Sequence, residues 1–369
     1  MKIDKIETVP VRLRLKEAFK ESPGVYDELM HVIVKIWTDE GIVGLGEACP
    51  TPPADEETVE SVLYAVRKYI EPAVAGEDPF NIERIITAMD WLPVNTYAKS
   101  AIDMAVYDIM GKKLNIPVYM LLGGCYRTRI PGGWEIGIDK PEKNVKDAEK
   151  AVERGFMQLK IKMGLDLSAD VERFKRIRKA VGYDVAIAAD ANQGWKTYEA
   201  VRAIKKIEKY EPAFIEQPVA RWDITGLAEV CRSVDTPIMP DESLRTPQDA
   251  LNLVRNRAAE CFNLKIPKHG GLYNSKKITT IAEIAGISCM VGTMWELGIA
   301  AAAGFHLAAS AKIIDLRNEI IEGPIRAEAH LLSEPLDIEK GYFQAPKGPG
   351  LGVELDEHEL KKYAEAFQP

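Results

Sequence analysis

Residues 185–217, VAIAADANQGWKTYEAVRAIKKIEKYEPAFIEQ, decide the fold. A short apolar run ends in Asp190, a stretch with apolar residues three or four apart follows, and a second apolar run ends in Glu216. This is a strand, a helix and a strand, with a carboxylate at the same place in each strand. The unit recurs from Gly133 onward. The strand cores are WEIGI (134–138), LKIK (159–162), VAIAAD (185–190), AFIEQ (213–217), PIMPD (237–241), FNLKI (262–266), CMVGT (289–293) and IIDL (313–316). Amphipathic stretches such as ADVERFKRIRKAVG (169–182) and NSKKITTIAEIAG (274–286) separate most of them. Strands recurring at roughly 25-residue intervals with helices between predict an α/β chain closed into a parallel TIM-type barrel. An open doubly wound sheet needs no such even spacing, and it usually carries a Gly-rich phosphate turn that is missing from this sequence.

Outward from the barrel, residues 1–125 open with β-like runs near 2–14 and 29–38, joined by the polar segment KEAFKESPGVYDE (16–28) and followed by GIVGLGEA (41–48). Three helical stretches, 55–74, 81–92 and 96–114, complete what reads as an α+β domain. The barrel domain is expected over 126–320. A Pro- and Gly-rich tail, 321–369, is expected to run extended and pack back on the N-terminal domain. A formal charge of -8 and a pI near 5.4 exclude the basic stripe of a nucleic-acid binder. The first residues lack the apolar core of a secretory signal, and the longest apolar candidate, GIAAAAGFHLAAS (298–310), falls short of the ~20 residues that cross a bilayer. A cytoplasmic protein with a small-molecule substrate and no membrane partner is expected. Cys49, Cys125, Cys231, Cys261 and Cys289 stand singly, without zinc or disulfide spacing, and read as reduced core residues.

Charges occur where a barrel should be apolar. Alternation in LKIKMG (159–164) points Lys160 and Lys162 inward, and a buried ammonium requires partners. Asp190, Glu216 and Asp241 end the next three strands at intervals of 26 and 25 residues, one repeat each. Adjacent parallel strands lie ~4.8 Å apart, so the three carboxylates are expected to converge and to repel one another unless a hard cation joins them. Oxygen donors without cysteine or histidine indicate Mg²⁺, with Mn²⁺ as the alternative. Helix N-capping is the bland reading of each acid alone, and it weakens for three in series flanked by lysines. Asn192 and Glu242 are expected behind the ligands, or as caps. Lys265, on the sixth strand in NLKIPKHGG (263–271), faces Lys162 across the barrel, while Lys268 belongs to the loop as an ion-pair partner. A carboxylate substrate would then have its α-carbon between two lysines, and its enolate would need stabilising charge from the cation and Lys160. Positive charge nearby is expected to depress the lysines toward neutrality.

These motifs resemble the enolase superfamily, specifically the muconate lactonizing enzyme subgroup of the mandelate racemase/muconate lactonizing enzyme family. The likeness runs in order through VGLGEA (43–48), LLGG (121–124), K-x-K (160–162), D-x-N (190–192), E-Q-P (216–218), D-E-S (241–243), K-x-x-K-x-G-G (265–271) and GPGLGVELD (348–356). The resemblance implies a modified (β/α)₇β barrel capped by the N-terminal region with the C-terminal tail. It makes Lys160, Lys162 and Lys265 the catalytic lysines and Asp190, Glu216 and Asp241 the Mg²⁺ ligands. It also assigns Glu296 a part in shaping the pocket and implies a homo-oligomer, octamers included. The mandelate racemase branch would carry a histidine in SCMVGTMWELG (288–298), which has none. Dipeptide epimerases carry D-x-D on the eighth strand. Asp315 and Arg317 are expected there, with Arg317 either meeting a second substrate carboxylate or bridging to a cap helix. The loops near 17–29 and 49–56 are expected to touch the distal part of the substrate. Phe19, Tyr26 and Trp295 are candidate walls, ordinary packing being the alternative for each. The expected activity is racemisation or epimerisation of an amino-acid derivative: an N-acylated amino acid, a dipeptide or a betaine. A muconate-type cycloisomerase and a non-catalytic binding barrel are the competing readings.

Overall fold

A computed structural model describes residues 1–52, 57–320 and 322–367. The cap begins with an antiparallel sheet of β1 (Ile3–Lys20), β2 (Val25–Thr38) and β3 (Val43–Ala48). The segment 16–28 is no mere connection. It continues the β1–β2 hairpin, with Phe19 opposite Tyr26 and Lys20 opposite Val25, beyond a register shift between Arg14 and Phe19. Its polar residues hid a strand because this arm leaves the sheet and alternation no longer marks a single buried face.

The glycines of VGLGEA have a steric cause. A Cβ on Gly44 would lie 2.1 Å from Ala105 O, and one on Gly46 would lie 1.9 Å from Ala101 O. Strand β3 therefore rests directly on the backbone of the helix Thr96–Leu114, which is buried along most of its length. Asp108 on this helix accepts from Leu45 N at 2.9 Å and from Leu351 N at 2.8 Å, tying strand and tail to one carboxylate. Asp103 accepts from Leu272 N and Tyr273 N at the start of the barrel helix Leu272–Ala285.

The barrel follows the expected repeat. After β4 (Arg129–Pro131), the parallel strands β5 (Trp134–Ile136), β6 (Gln158–Lys162), β7 (Ala186–Asp190), β8 (Pro212–Glu216) and β9 (Ile238–Met239) form one sheet. β10 (Cys261–Leu264) and β11 (Ser288–Val291) form a second, parallel to each other. Glu260 N to Ile238 O at 3.0 Å joins the two. The eighth member is an extended segment rather than a regular strand. Cys289 N bonds Ile313 O, Glu319 N bonds Val291 O, and Gly133 N bonds Asn318 O, so residues 313–319 close the ring between β11 and β5. Among the described residues seven helices lie outside the ring, from Pro141–Glu153 to Ile299–Ser310, and none follows the eighth segment in that role. The architecture is (β/α)₇β. Local capping supports it: Asp166 accepts from Ala169 N, Asp223 from Gly226 N, and Thr246 with Asp249 forms a reciprocal cap.

The tail touches both parts. β12 (Ile338–Glu339) and β13 (Tyr342–Gln344) add to β4, Leu15 bridges to Ala327, and Lys35 pairs with Glu357 at 2.7 Å. Cys49, Cys261 and Cys289 are buried as expected, whereas Cys125, in the connection before β4, is exposed and Cys231, on the helix Ile224–Ser233, is half-buried. No helix of the described residues is long and apolar enough to cross a membrane.

Glu47 locks cap to barrel. Its carboxylate accepts from Leu297 N at 2.6 Å and Ala300 N at 2.9 Å, at the start of the helix Ile299–Ser310, and lies 2.9 Å from His31 Nδ1. Its oxygens also come together with His31 and Cys49 as a possible ligand group, but two backbone N–H groups already point at them and disfavour a cation. Burial would raise the Glu47 pKa, yet His31 and the amides outweigh burial and hold it below the usual 4.5. A lowered folded-state pKa adds stability above the unfolded value and loses it as pH falls below. Glu47→Gln is therefore expected to cost about 2–3 kcal/mol at pH 7, with the deficit shrinking below pH 4.5, in urea unfolding monitored by circular dichroism.

Candidate active site

The lower barrel interior is apolar, filled by Ala188, Phe214, Met239, Cys261 and Met290. Above this layer the inward positions become charged. In register on neighbouring strands, Lys162 pairs with Asp190, and Asp190 with Glu216.

Lys160 is fully buried, and three carboxylates close on its ammonium: Glu135 at 2.9 Å, Glu216 at 2.8 Å and Glu319 at 2.5 Å. Lys160 thus sits among three acids, one hydrogen bond running to Glu216, and is not among the residues that line the pocket. Lys162 Nζ lies 2.9 Å from Asp190 Oδ2, 2.8 Å from Glu21 Oε2 and 3.8 Å from Glu135 Oε2. On the other side Lys265 Nζ lies 2.7 Å from Asp241 Oδ2. Lys268, expected as an ion-pair partner, is buried and serves as one. It donates to Asp241 O at 2.5 Å and pairs with Asp241 Oδ1. One pocket is lined by both Lys162 and Lys265, together with Asp241, Glu242, Asn192, Arg245 and Trp295.

Burial would drive these ammonium groups down, but the acids outweigh it. Asp190, Glu135 and Glu21 hold Lys162 well above its usual range, and Asp241 and Glu216 do the same for Lys265. The acids alone thus raise both lysines, whereas the depression expected from the sequence is that of a lysine beside a bound cation. Glu216 is pushed up to about 7 by burial and by Asp190, and Glu242 to about 8 by burial and by Asp241. Glu135 goes the other way, to about 2, because Lys160 and Lys162 overcome its burial.

The expected trio of acids stands at neighbouring strand ends, each engaged by a different lysine. Their oxygens do not all lie within 4.8 Å of one another, since the pairing lysines spread them. The donor set still suits a hard divalent cation. Asn192 Oδ1 and Glu242 Oε2 are buried without a hydrogen-bond partner beside these acids, with Asn192 N on Asp190 Oδ1 at 2.8 Å and Asn192 Nδ2 on Glu242 Oε1 at 3.3 Å. The Gln217 of E-Q-P sets the third acid in place: its Oε1 accepts from Asp241 N at 2.9 Å and Ser243 N at 3.0 Å. Asn263 donates to Glu216 Oε1 at 2.6 Å.

One expectation is corrected. Asp315 is exposed beside Ser288, and Arg317 lies near the start of β6, its carbonyl accepting from Gln158 Nε2 at 3.2 Å; neither lines the pocket. The acid at the site from this segment is Glu319, four residues beyond Asp315. Glu296 is buried and holds the loop that lines the pocket, accepting from Thr293 Oγ1 at 2.7 Å and Met294 N at 2.9 Å. Trp295 lines the pocket, with φ 63° in the left-handed region. Phe19 and Tyr26 stand behind it, their ring centroids 4.9 and 6.3 Å from its own, so they pack the wall rather than form it. Thr51 also lines the pocket, whereas residues 53–56 of the second cap loop lie outside the described residues.

Glu21, Glu135, Glu319 and Asn263 were missed by sequence reasoning. Glu135 had a usable signal. It is the acid of WEIGI, and on a barrel strand a charged residue between apolar neighbours points inward by the rule that placed Lys160.

Residues 4–123 match the family described as mandelate racemase / muconate lactonizing enzyme, N-terminal domain, and residues 143–359 match that described as enolase C-terminal domain-like. The chain is 37% identical over 368 residues to the N-succinyl-L-Arg/Lys racemase of Bacillus cereus, covering 98% of each, and the structure of that racemase matches with a TM-score of 0.95. It is 40% identical over 362 residues to the hydrophobic dipeptide epimerase of Enterococcus faecalis, covering 96% of this chain and 99% of that one. A structure of the Enterococcus faecalis dipeptide epimerase with Mg and L-Leu-L-Tyr matches with a TM-score of 0.92. Muconate cycloisomerase 1-1 of Acinetobacter lwoffii is 32% identical over 366 residues, covering 98% of this chain and 96% of that one.

Lys160→Met would leave Glu135, Glu216 and Glu319 buried without their shared cation. A loss of about 3–5 kcal/mol is expected at pH 7, measured by urea unfolding. The uncompensated acids would then titrate above their unfolded values, so the variant should regain stability as pH falls toward 5, opposite in direction to Glu47→Gln.

Proposed function

The chain belongs to the mandelate racemase/muconate lactonizing enzyme family, and from that premise we propose that it is a Mg²⁺-dependent racemase or epimerase of an amino-acid derivative bearing a carboxylate. The observation that carries this reading is the placement of Lys162 and Lys265 on one pocket, each anchored to a different acid. Asp190, Glu216 and Asp241 would hold the Mg²⁺, with Mn²⁺ as a substitute, and Asn192 and Glu242 bring further oxygens to its surroundings. When bound, the cation supplies Lewis-acid charge to the substrate carboxylate and relieves the repulsion among the acids.

The remaining work belongs to the chain. A substrate α-carbon between the two lysines presents one face to each amine, so the lysine that is neutral takes the α-proton and becomes an ammonium, while the other, an ammonium, gives its own proton to the opposite face and inverts the configuration. Asp190 and Asp241 fix the directions from which Lys162 and Lys265 act, and the Lys268 contact to Asp241 O and Oδ1 keeps that acid from turning. Lys160 stabilises the arrangement from below by neutralising Glu216, Glu135 and Glu319. Trp295, wedged against Phe19, excludes water from the pocket.

The test is α-proton exchange followed by NMR in D₂O with Mg²⁺, using N-acylated amino acids, dipeptides, betaines and muconates. Both enantiomers of a substrate should exchange. Lys162→Ala should abolish exchange of one enantiomer and Lys265→Ala that of the other, each by about 10³-fold or more. EDTA should remove activity, and saturating Mg²⁺ should raise the melting temperature of wild type but not of an Asp190→Asn, Asp241→Asn variant. Lactone turnover without α-exchange would replace this reading with the cycloisomerase one.

A further inference from the structure

Strand β6 ends at Lys162, and the backbone there is held residue by residue from both sides. Pairing with β5 stops at Ile136 and Ile161, and the next carbonyl, Lys162 O, accepts from Arg173 Nη2 at 2.8 Å. Met163 N donates to Asp190 O at 2.7 Å. Gly164 N donates to Asp170 Oδ2 at 2.9 Å, and Gly164 takes φ 107° where a Cβ would lie 2.4 Å from Ala191 O. Arg173 and Asp170 stand on the helix Leu167–Val181, outside the ring, and pair with each other at 2.5 Å. Arg173 Nη1 also donates to Asn144 Oδ1 at 3.3 Å, and Asn144 Nδ2 donates to Gly137 O at 2.9 Å, so the same cluster grips the chain just past β5.

Stability alone gives little reason for this cluster. Arg173, Asp170 and Asn144 are all buried, and apolar side chains of the same volume often stabilise as well as a buried ion pair does. What the pair fixes is geometry. A planar guanidinium offers its donors in a rigid fork, and here the fork spans Lys162 O, Asp170 and Asn144. The opposite wall of the pocket is held differently: Lys265 O accepts from His269 N of its own turn at 3.1 Å, and Ile266 O accepts from Ser100 Oγ at 3.1 Å.

A small turn of the backbone at Lys162 is amplified along its four-carbon side chain, and a misplacement of about 1 Å at a reacting group costs on the order of a hundredfold in rate. Turnover also changes the charge on this amine, and with it the pull of Asp190 and Glu21. An anchor on the carbonyl is indifferent to that change.

Resting on the racemase reading above, we propose that Arg173 is a positioning residue for Lys162, holding through Lys162 O the strand end from which that amine reaches the substrate and through Asp170 the turn that follows. Arg173 does not line the pocket and acts through Lys162.

Two variants test this. Arg173→Lys keeps a cation beside Asp170 and gives up the fork, while Arg173→Met combined with Asp170→Asn removes both charges, so neither leaves a buried acid unpaired. α-Proton exchange in D₂O with Mg²⁺ is followed on N-acetylleucine, Ala-Leu and proline betaine, each in both α-configurations. The configuration that Lys162→Ala silences marks the Lys162 face. Exchange on that face should fall about 10- to 100-fold, in kcat with KM within about threefold, while exchange on the Lys265 face stays within about threefold of wild type. Crystal structures of the variants should show Lys162 Nζ displaced or its temperature factor raised, with Lys265 Nζ unmoved. Equal losses on both faces would mark a support of the whole barrel and overturn the inference. Unchanged exchange on both faces, or Lys162 Nζ in its wild-type place with its wild-type temperature factor, overturns it as well. A wild type that exchanges none of these probes counts against the racemase reading instead, and the place of Lys162 in the crystals still decides the part of Arg173.

Discussion

Everything at the top of this barrel depends on burying many like charges together. A carboxylate taken from water into an apolar interior is tolerated only when paired, and here several share a volume with four lysines. The balance is incomplete, which is why Glu216 and Glu242 are pushed to about 7 and 8 while Glu135, lying between two ammonium groups, falls to about 2. Their environments differ in which lysine is nearest, and that difference sorts chemically similar side chains into different tasks.

The apolar floor makes the arrangement rigid. Phe214, Met239 and Met290 fill the barrel below the charged layer, so the acids cannot retreat downward. Backbone strain gathers at the strand ends just above. Asn192, Gln193, Gln217 and Trp295 all have positive φ at the C-terminal rim of the barrel. At Gln217 the return is visible, because the turned backbone lets one amide side chain bond both Asp241 N and Ser243 N.

The repeat and its acids were legible because two simple rules coincide in them. Alternation faces a residue inward, and one acid per repeat puts the carboxylates on adjacent strands. The same reasoning failed at the eighth strand. IIDL has a strand-like composition, yet the pairing that closes the ring involves Asn318 and Glu319 as much as Ile313, so the inward acid was placed four residues too early. Glu21 was illegible for another reason. In KEAFKESPG it is one of four charged residues, and only the bend in the hairpin distinguishes the one that enters the barrel from those that meet solvent.

These misses share a physical origin, and it concerns how the cap works. The cap does more than cover the mouth. Glu47 seats the helix that follows the Trp295 loop, Phe19 packs on the Trp295 ring, and Glu21 adds a charge to Lys162. Three short-range contacts from the hairpin arm and β3 thus fix one loop and one amine of the barrel. A movement of the hairpin arm that withdrew Phe19 would also withdraw Glu21, because only Lys20, held by Ile138 N, lies between them. Access to the pocket and the field around its base are therefore coupled through a single segment of chain. Changes in substrate preference need alter only that arm, while the acids and lysines of the barrel keep the geometry their own pairing imposes.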